Sequence, residues 1–174
     1  MYLTPQLVDR LIALARRYFP GLQSFSEDAF LRAEVTYKRE TIQKARGLLS
    51  AEAYGQLLEE RQYDEIVARL ETIGKDNNLL WLRAPSSGDL RVLYREGLDR
   101  PSFCRAMYDL LHGAGTGPER LGRYVAYVQG RGLPNYWTFP TYFLYIMDSD
   151  TEMFVKPYAA KWLFDWLGQE ALWQ

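Results

Sequence analysis

The residue types that most often make and break covalent bonds are scarce in this chain. There is one histidine, His112, and one cysteine, Cys104. A nucleophilic triad needs a base beside a Ser or Cys. His112 falls in the last turn of a helical pattern, where the helix dipole favours a cation. A plain capping role as a cation is therefore expected of it. Cys104 flanks the apolar stripe of the same pattern and reads as a buried, inert thiol. One His and one Cys fall short of the usual ligand set of a zinc site. The run Gly113-Ala-Gly-Thr-Gly-Pro-Glu-Arg120 has the glycines of a phosphate loop but not its Gly-Lys-Ser/Thr ending. It also follows a helix rather than a strand, and Pro118 removes a backbone donor. It reads as an inter-helix loop. Asp148, Asp150 and Glu152 lack the glycine and the distant bidentate Glu of a calcium loop, and read as a solvated turn. No carboxylate pair stands out for acid/base work. The expectation is a chain with no catalytic residue, no metal and no cofactor.

Residues suited to holding a ligand are more plentiful. Arg32, Lys38, Arg39, Lys44 and Arg46 form a basic row on one helical stretch, interrupted by Glu34 and Glu40. Lys38, Arg39, Lys44 and Arg46 lie away from much of that stretch's apolar stripe. Such a row can track phosphates, because counterion release rewards local cations; it is equally a solvated face with i,i+4 pairs. Arg131-Gly-Leu-Pro-Asn-Tyr-Trp137 is a loop by its Gly and Pro, so Tyr136 and Trp137 need not be core. An exposed aromatic beside Arg131 suits base stacking or a protein–protein hot spot; the plain alternative is that Trp137 staples the helix that follows. Lys156 lies further along the same half of the chain. Trp81-Leu82-Arg83 repeats the aromatic-plus-Arg pairing. Trp162, Phe164 and Trp166 read as core.

The whole composition sets the frame for these groups. With 174 residues the chain can fold as one domain with its own core, burying roughly two thirds of its unfolded surface. The aromatic share of 15% exceeds what a core absorbs easily, since Trp and Tyr are seldom fully buried. A net charge of -1 gives no global pull toward nucleic acid or anionic lipid. A single cysteine excludes an intramolecular disulfide and fits a reducing compartment. No uncharged apolar run approaches the ~20 residues of a membrane span. A cytoplasmic protein with no membrane partner is expected.

Local signals predict a mainly α, multi-helix globular domain. Thr4 and Pro5 open a first helix that Pro20-Gly21 stops. Ser24 and Glu27 have capping-box spacing before a long helix to about Leu49. Ser50 caps a short helix through Leu58, and another runs from Tyr63 to Ile73, ended by Gly74. Asp99 caps the clearest helix, with Pro101 in its first turn and Phe103, Ala106, Met107, Leu110 and Leu111 on one face. Pro118 opens the next, Thr138 caps an aromatic one, and Pro157 begins the last, with Gly168 as its C-cap. Between 75 and 98 the helical signal fades. Leu79–Leu82 and Leu90–Tyr94 fit short strands or single helical turns, allowing a short β element around 79–95. Residues 1–174 are read as one domain, with 75–90, including Pro85-Ser86-Ser87-Gly88, as the one plausible boundary between two lobes.

Two segments carry a family likeness. Tyr37-Lys-Arg-Glu-Thr-Ile-Gln-Lys-Ala-Arg46, through Tyr63–Ile66 to Asn78-Leu-Leu-Trp81, is the first; Trp137-Thr-Phe-Pro-Thr-Tyr-Phe143, through Met153–Pro157, is the second. Together they resemble the region upstream of the AAA+ motor in McrB-like bacterial restriction ATPases. The resemblance implies an N-terminal DNA-binding, target-recognition domain in antiviral defence that is not itself catalytic. Its implied partners are DNA, with modified-base duplexes among the targets, an AAA+ motor in the same full-length chain and a nuclease subunit. The chain has no Walker motif and no nuclease signature, so neither of those activities carries over. The end at Trp173-Gln174 suggests a domain cut from a longer protein. On this reading Lys38, Arg39, Lys44 and Arg46 hold phosphates, Tyr136 and Trp137 meet a base, and Arg131 and Lys156 stand nearby. The other reading is a helical module that docks a partner subunit through its exposed aromatics.

Overall fold

The computed structural model describes residues 4–82 and 87–167. Arg83, the Pro85-Ser86 turn, the Gly168 cap and the Trp173-Gln174 end lie outside the described residues. The chain forms two compact units, one reaching to Glu40 and the other beginning at Thr41. The turn-rich stretch at 75–90 is internal to the second. The described residues are mainly α-helical and contain no β-strand.

In the first unit, α1 (Pro5–Ala15) starts as its sequence dictates. The Thr4 hydroxyl accepts from Leu7 N at 3.3 Å, and Pro5 supplies a pre-set φ where no donor is needed. Glu27 Oε1 accepts from the backbone of Ser24 at 2.8 Å, as the capping-box spacing requires. The long helix predicted after it is not uniform. It runs as α2 (Asp28–Leu31), a π-helical stretch (Arg32–Thr36) and α3 (Tyr37–Leu48). In the π stretch the Thr36 hydroxyl donates to Leu31 O, five residues back, at 3.1 Å. Phe30 packs edge-on against Phe19 and Phe25, at 5.3 and 5.2 Å between ring centroids.

The second unit holds the main core. After the end of α3 come α4 (Ala51–Glu59), α5 (Tyr63–Lys75), α6 (Arg100–His112), α7 (Gly117–Gly130), α8 (Thr138–Met147) and α9 (Pro157–Leu167). The α6 helix is central and packs against α4, α5, α7 and α8. Its predicted stripe is its buried face: Phe103, Met107 and Leu110 are fully buried. The Asp99 carboxylate caps it through Ser102 N at 3.4 Å. Cys104 is also fully buried there, and burial pushes its thiol up to about 12. The aromatic helix α8 is buried almost all round, from Phe139 to Leu144 and at Ile146. Such a helix needs its few polar groups satisfied inside. Tyr142 donates to Ile73 O at 2.8 Å and accepts from Asn77 Nδ2 at 3.1 Å. Thr141 donates to Trp137 O at 2.6 Å and accepts from Val155 N at 3.1 Å, which ties the 153–157 segment to α8.

Several sequence expectations need correction. Residues 79–95 hold a 3-10 turn, Arg91–Tyr94, and no strand among those described. The Asp89 carboxylate gathers this stretch by accepting from Trp81 N at 2.7 Å and the Thr138 hydroxyl at 2.9 Å. Thr138 is therefore not the cap of α8; Trp137 occupies that position. Gly74 does not end α5. It lies inside the helix, where a Cβ would stand 2.6 Å from Leu90 Cδ2, so the close approach of Leu90 accounts for the glycine. The three aromatics of α9 are not core: Trp162 is 50% exposed, and no described residue of α9 is buried. His112 is not a charged cap. Its Nε2–H donates to Leu49 O at 2.8 Å, and burial lowers its pKa against the opposing pull of that bond. Arg120's charge depresses it further.

The lowered pKa has a pH consequence. Between the ordinary histidine value of about 6.5 and the lower native one, the unfolded chain binds more protons than the folded chain. Stability contributed here is complete above that window and is lost as pH falls through it. His112→Gln keeps a donor but cannot titrate. Urea unfolding of the two proteins from pH 7.5 to 5 should show a pH slope for wild type that is reduced in the variant.

A groove lined by exposed aromatics

The candidate basic row is divided between the two units. In the first, Lys38 Nζ donates to Glu34 O at 2.6 Å and pairs with Glu34 Oε2 at 3.1 Å. Burial acts most strongly on Lys38, pulling its pKa down, but bonds with Tyr37 and Glu34 outweigh it and the net shift is upward. Arg39 is exposed. In the second, Lys44 pairs with Asp76, whose other oxygen accepts from the buried Thr41 hydroxyl at 2.8 Å. The Lys44 bond, then the Thr41 bond acting against burial, lowers the Asp76 pKa. Arg46 is exposed. Two of the four cations thus already hold a carboxylate, and a phosphate would have to compete for them. Arg131 pairs with Asp99 at 3.5 Å and lies 6.0 Å from the Tyr127 ring centre.

Tyr136, Trp137 and Lys156 do come together. They line a groove of two adjoining clefts, of about 630 and 560 Å³, that share Trp137, Lys156 and Ala159 as a common wall. The smaller cleft is apolar, with Leu79, Met153, Val155, Leu163 and Phe164 among its walls. The larger is bounded by Trp81, Tyr136 and Tyr158, with Asp89 and Arg91 at its side. Trp137 is 57% exposed, Tyr158 92% and Met153 75%. Trp137 is therefore neither core nor a staple beneath α8.

Three connections fix this geometry. Trp137 O is held by Thr141, and the opposite wall is fastened to α8 through Val155 N. Behind it, Phe154 packs edge-on against Tyr142 at 5.8 Å. The third is Asp89, which joins the 81–91 stretch to the start of α8. Arg91 lies flat over Tyr136, its guanidinium carbon 3.3 Å from the ring centre, as cation–π attraction favours. Arg91 Nε is buried and has no hydrogen-bond partner among the described residues. Sequence reasoning missed Arg91, Asp89 and Tyr158 as groove residues. Arg91 lay in a stretch read as a short strand or a single helical turn, with no ligand role.

The remaining candidate chemistry is accounted for by structure. Glu152 is not a solvated carboxylate: it pairs with Arg120 at 3.1 Å, and each side chain is 16% exposed. Arg120 also donates to Leu110 O and Gly115 O, both at 2.9 Å. The Glu152 carboxylate occupies the space where a Cβ on Gly117 would be. The glycine-rich run therefore receives the protein's own carboxylate and arginine, as the inter-helix loop it was read to be. Asp148 accepts from the Thr151 hydroxyl at 2.5 Å, which lowers its pKa. Among the described residues no three His, Cys, Asp or Glu side chains cluster to hold a metal ion. No described helix is long and apolar enough to cross a membrane.

No family model, curated protein or solved structure matches this chain. That corrects the attributes drawn from the likeness to McrB-like ATPases. DNA binding, a restriction system, an AAA+ motor and antiviral defence have no match behind them, and of that set the helical character stands.

Proposed function

We propose that this protein is a non-catalytic helical interaction module of the cytoplasm, and that it holds an apolar segment of a partner protein in the groove beside α9. One observation carries the reading. Of the nine large apolar side chains exposed among the described residues, six line the two adjoining clefts: Trp81, Tyr136, Trp137, Met153, Tyr158 and Leu163; Tyr18, Leu82 and Trp162 do not. Scattered exposed apolar residues are ordinary, whereas a contiguous patch marks an interaction surface. Trp and Tyr are also the residues on which binding energy concentrates. A small-molecule site encloses its ligand. Here Trp81, Trp137, Met153 and Tyr158 in the walls are themselves half exposed or more, which suits a segment laid along the surface, as a helix lies in an apolar groove. The buried Cys104 thiol, the sole cysteine, is consistent with a reducing compartment.

The test uses a displayed peptide library selected on the purified protein and counter-selected on Trp137→Ala. Trp137 makes its described hydrogen bonds only through its backbone carbonyl, so the variant should melt close to wild type. The selected peptides should share at least two large apolar residues at fixed spacing. Their affinity should fall by about 2 kcal/mol, roughly 30-fold, on Trp137→Ala. Peptides without shared spacing, or bound equally by the variant, would remove the reading. So would a groove closed by self-association in sedimentation at working concentration.

A further inference from the structure

Resting on that reading, we infer that the groove selects a partner segment carrying an acidic side chain beside its apolar residues, and that Arg91 and Lys156 receive the carboxylate. Among the described residues, the charged ones lining the two clefts are Asp89, Arg91 and Lys156. Asp89 has no free role there. One of its oxygens accepts from Trp81 N and the other from the Thr138 hydroxyl. It holds the wall together and neutralises neither cation by an ion pair. Arg91 and Lys156 form no ion pair with any described residue, although the protein is balanced at a net charge of -1. Eight other Lys or Arg side chains of this unit do find a carboxylate. Of the described cations here that do not, Arg46, Arg61, Arg95 and Arg105 are exposed, whereas Arg91 and Lys156 are partly buried at the groove.

Their surroundings make the omission consequential. Arg91 is held by Tyr136, at 3.3 Å, and its Nε is already out of solvent. Lys156 stands 5.7 Å from the Phe154 ring centre and belongs to the wall that both clefts share. A partner that covers the aromatic walls also covers these cations. A covered cation without a counter-charge is strongly disfavoured, and a carboxylate placed beside it offsets much of that cost. An occupant that fills the apolar cleft and places a carboxylate in the larger one satisfies both demands. A second copy of this chain does not. A two-fold contact presents the same patch on both sides, and the carboxylate that patch holds among the described residues, Asp89, already has both oxygens engaged. The carboxylate is assigned to an Asp or Glu side chain, because Lys156 belongs to the wall both clefts share and a segment laid along both would meet it at an internal residue.

The experiment uses the intact protein and peptides from the selection above, made with amidated C-termini so that only side-chain carboxylates remain. The selected sequences should hold Asp or Glu at a fixed offset from their apolar residues. Changing that residue to Asn or Gln should weaken binding at least 10-fold at low salt, and less at 0.5 M salt, as screening requires. On Lys156→Met the same change should cost 3-fold or less, because the carboxylate has lost its partner. Arg91→Gln provides the second arm if Lys156→Met melts early. A consensus of fixed apolar spacing with no acidic preference would overturn this inference and leave the interaction module standing. An acidic preference unchanged in both variants would place the carboxylate elsewhere and also overturn it. Absence of any consensus removes both.

Discussion

Phe139→Ala is expected to destabilise the protein by about 3–5 kcal/mol, the usual cost of removing a buried aromatic ring. Phe139 is 3% exposed and lies where three helices meet. Its ring is 5.1 Å from that of Phe143, and 6.3 Å from each of Phe103 on α6 and Tyr124 on α7. Ring pairs of this kind contribute beyond the area they bury. A domain of this size has a stability of about 5–15 kcal/mol, so this loss is a large share of it. Phe139→Leu keeps most of the volume and should cost under about 1.5 kcal/mol. Urea unfolding followed by far-ultraviolet circular dichroism distinguishes them: the midpoint should fall steeply for Ala and slightly for Leu, at an unchanged slope. Equal losses would show that the rings are not the point of contact between these helices. Phe139 follows Trp137 by two residues, so the variant should also loosen the groove.

Gly117→Ala is the second. A Cβ at this position would collide with the Glu152 carboxylate. The flexible end of Glu152 can move aside, but only by leaving Arg120. Separating this largely buried charged pair should cost about 2–3 kcal/mol, and Glu152→Ala should cost about the same. The two changes should not add. Once Glu152 is shortened the methyl group has room, so the double variant should be no less stable than Glu152→Ala alone. Simple additivity in a thermal-melt cycle would show that Gly117 answers to backbone conformation instead of to the carboxylate.

Local chemistry explains what was readable beforehand. The capping Asp99, the proline after it and the apolar spacing of α6 all act within one or two turns, and they specify that helix without tertiary information. The same holds for Thr4 before α1 and Ser50 before α4. What could not be read depends on partners far along the chain. Thr138 was expected to cap α8, but Asp89, 49 residues earlier, takes its hydroxyl. His112 was expected to carry charge, but packing that brings it to Leu49 O, 63 residues earlier, also buries it, and burial lowers its pKa. Lys44 stood in a cationic row until Asp76 was brought beside it. The groove was legible in part. Gly and Pro around Tyr136 and Trp137 announced a loop and exposed rings, and those rings are exposed. The α9 helix misled because periodicity reveals an apolar face and says nothing of what covers it. Tyr158 and Trp162 have the spacing of core residues and lie outside the core.

Among the described residues the buried rings are those of Phe and Tyr, while Trp81, Trp137 and Trp162 are half exposed or more and Trp166 is only partly covered. The emission of these four indoles therefore originates mainly at the surface, with two of them on the groove's edge. Denaturant should shift that emission little, since those fluorophores are wet from the start. A bound segment should move it to the blue by drying them.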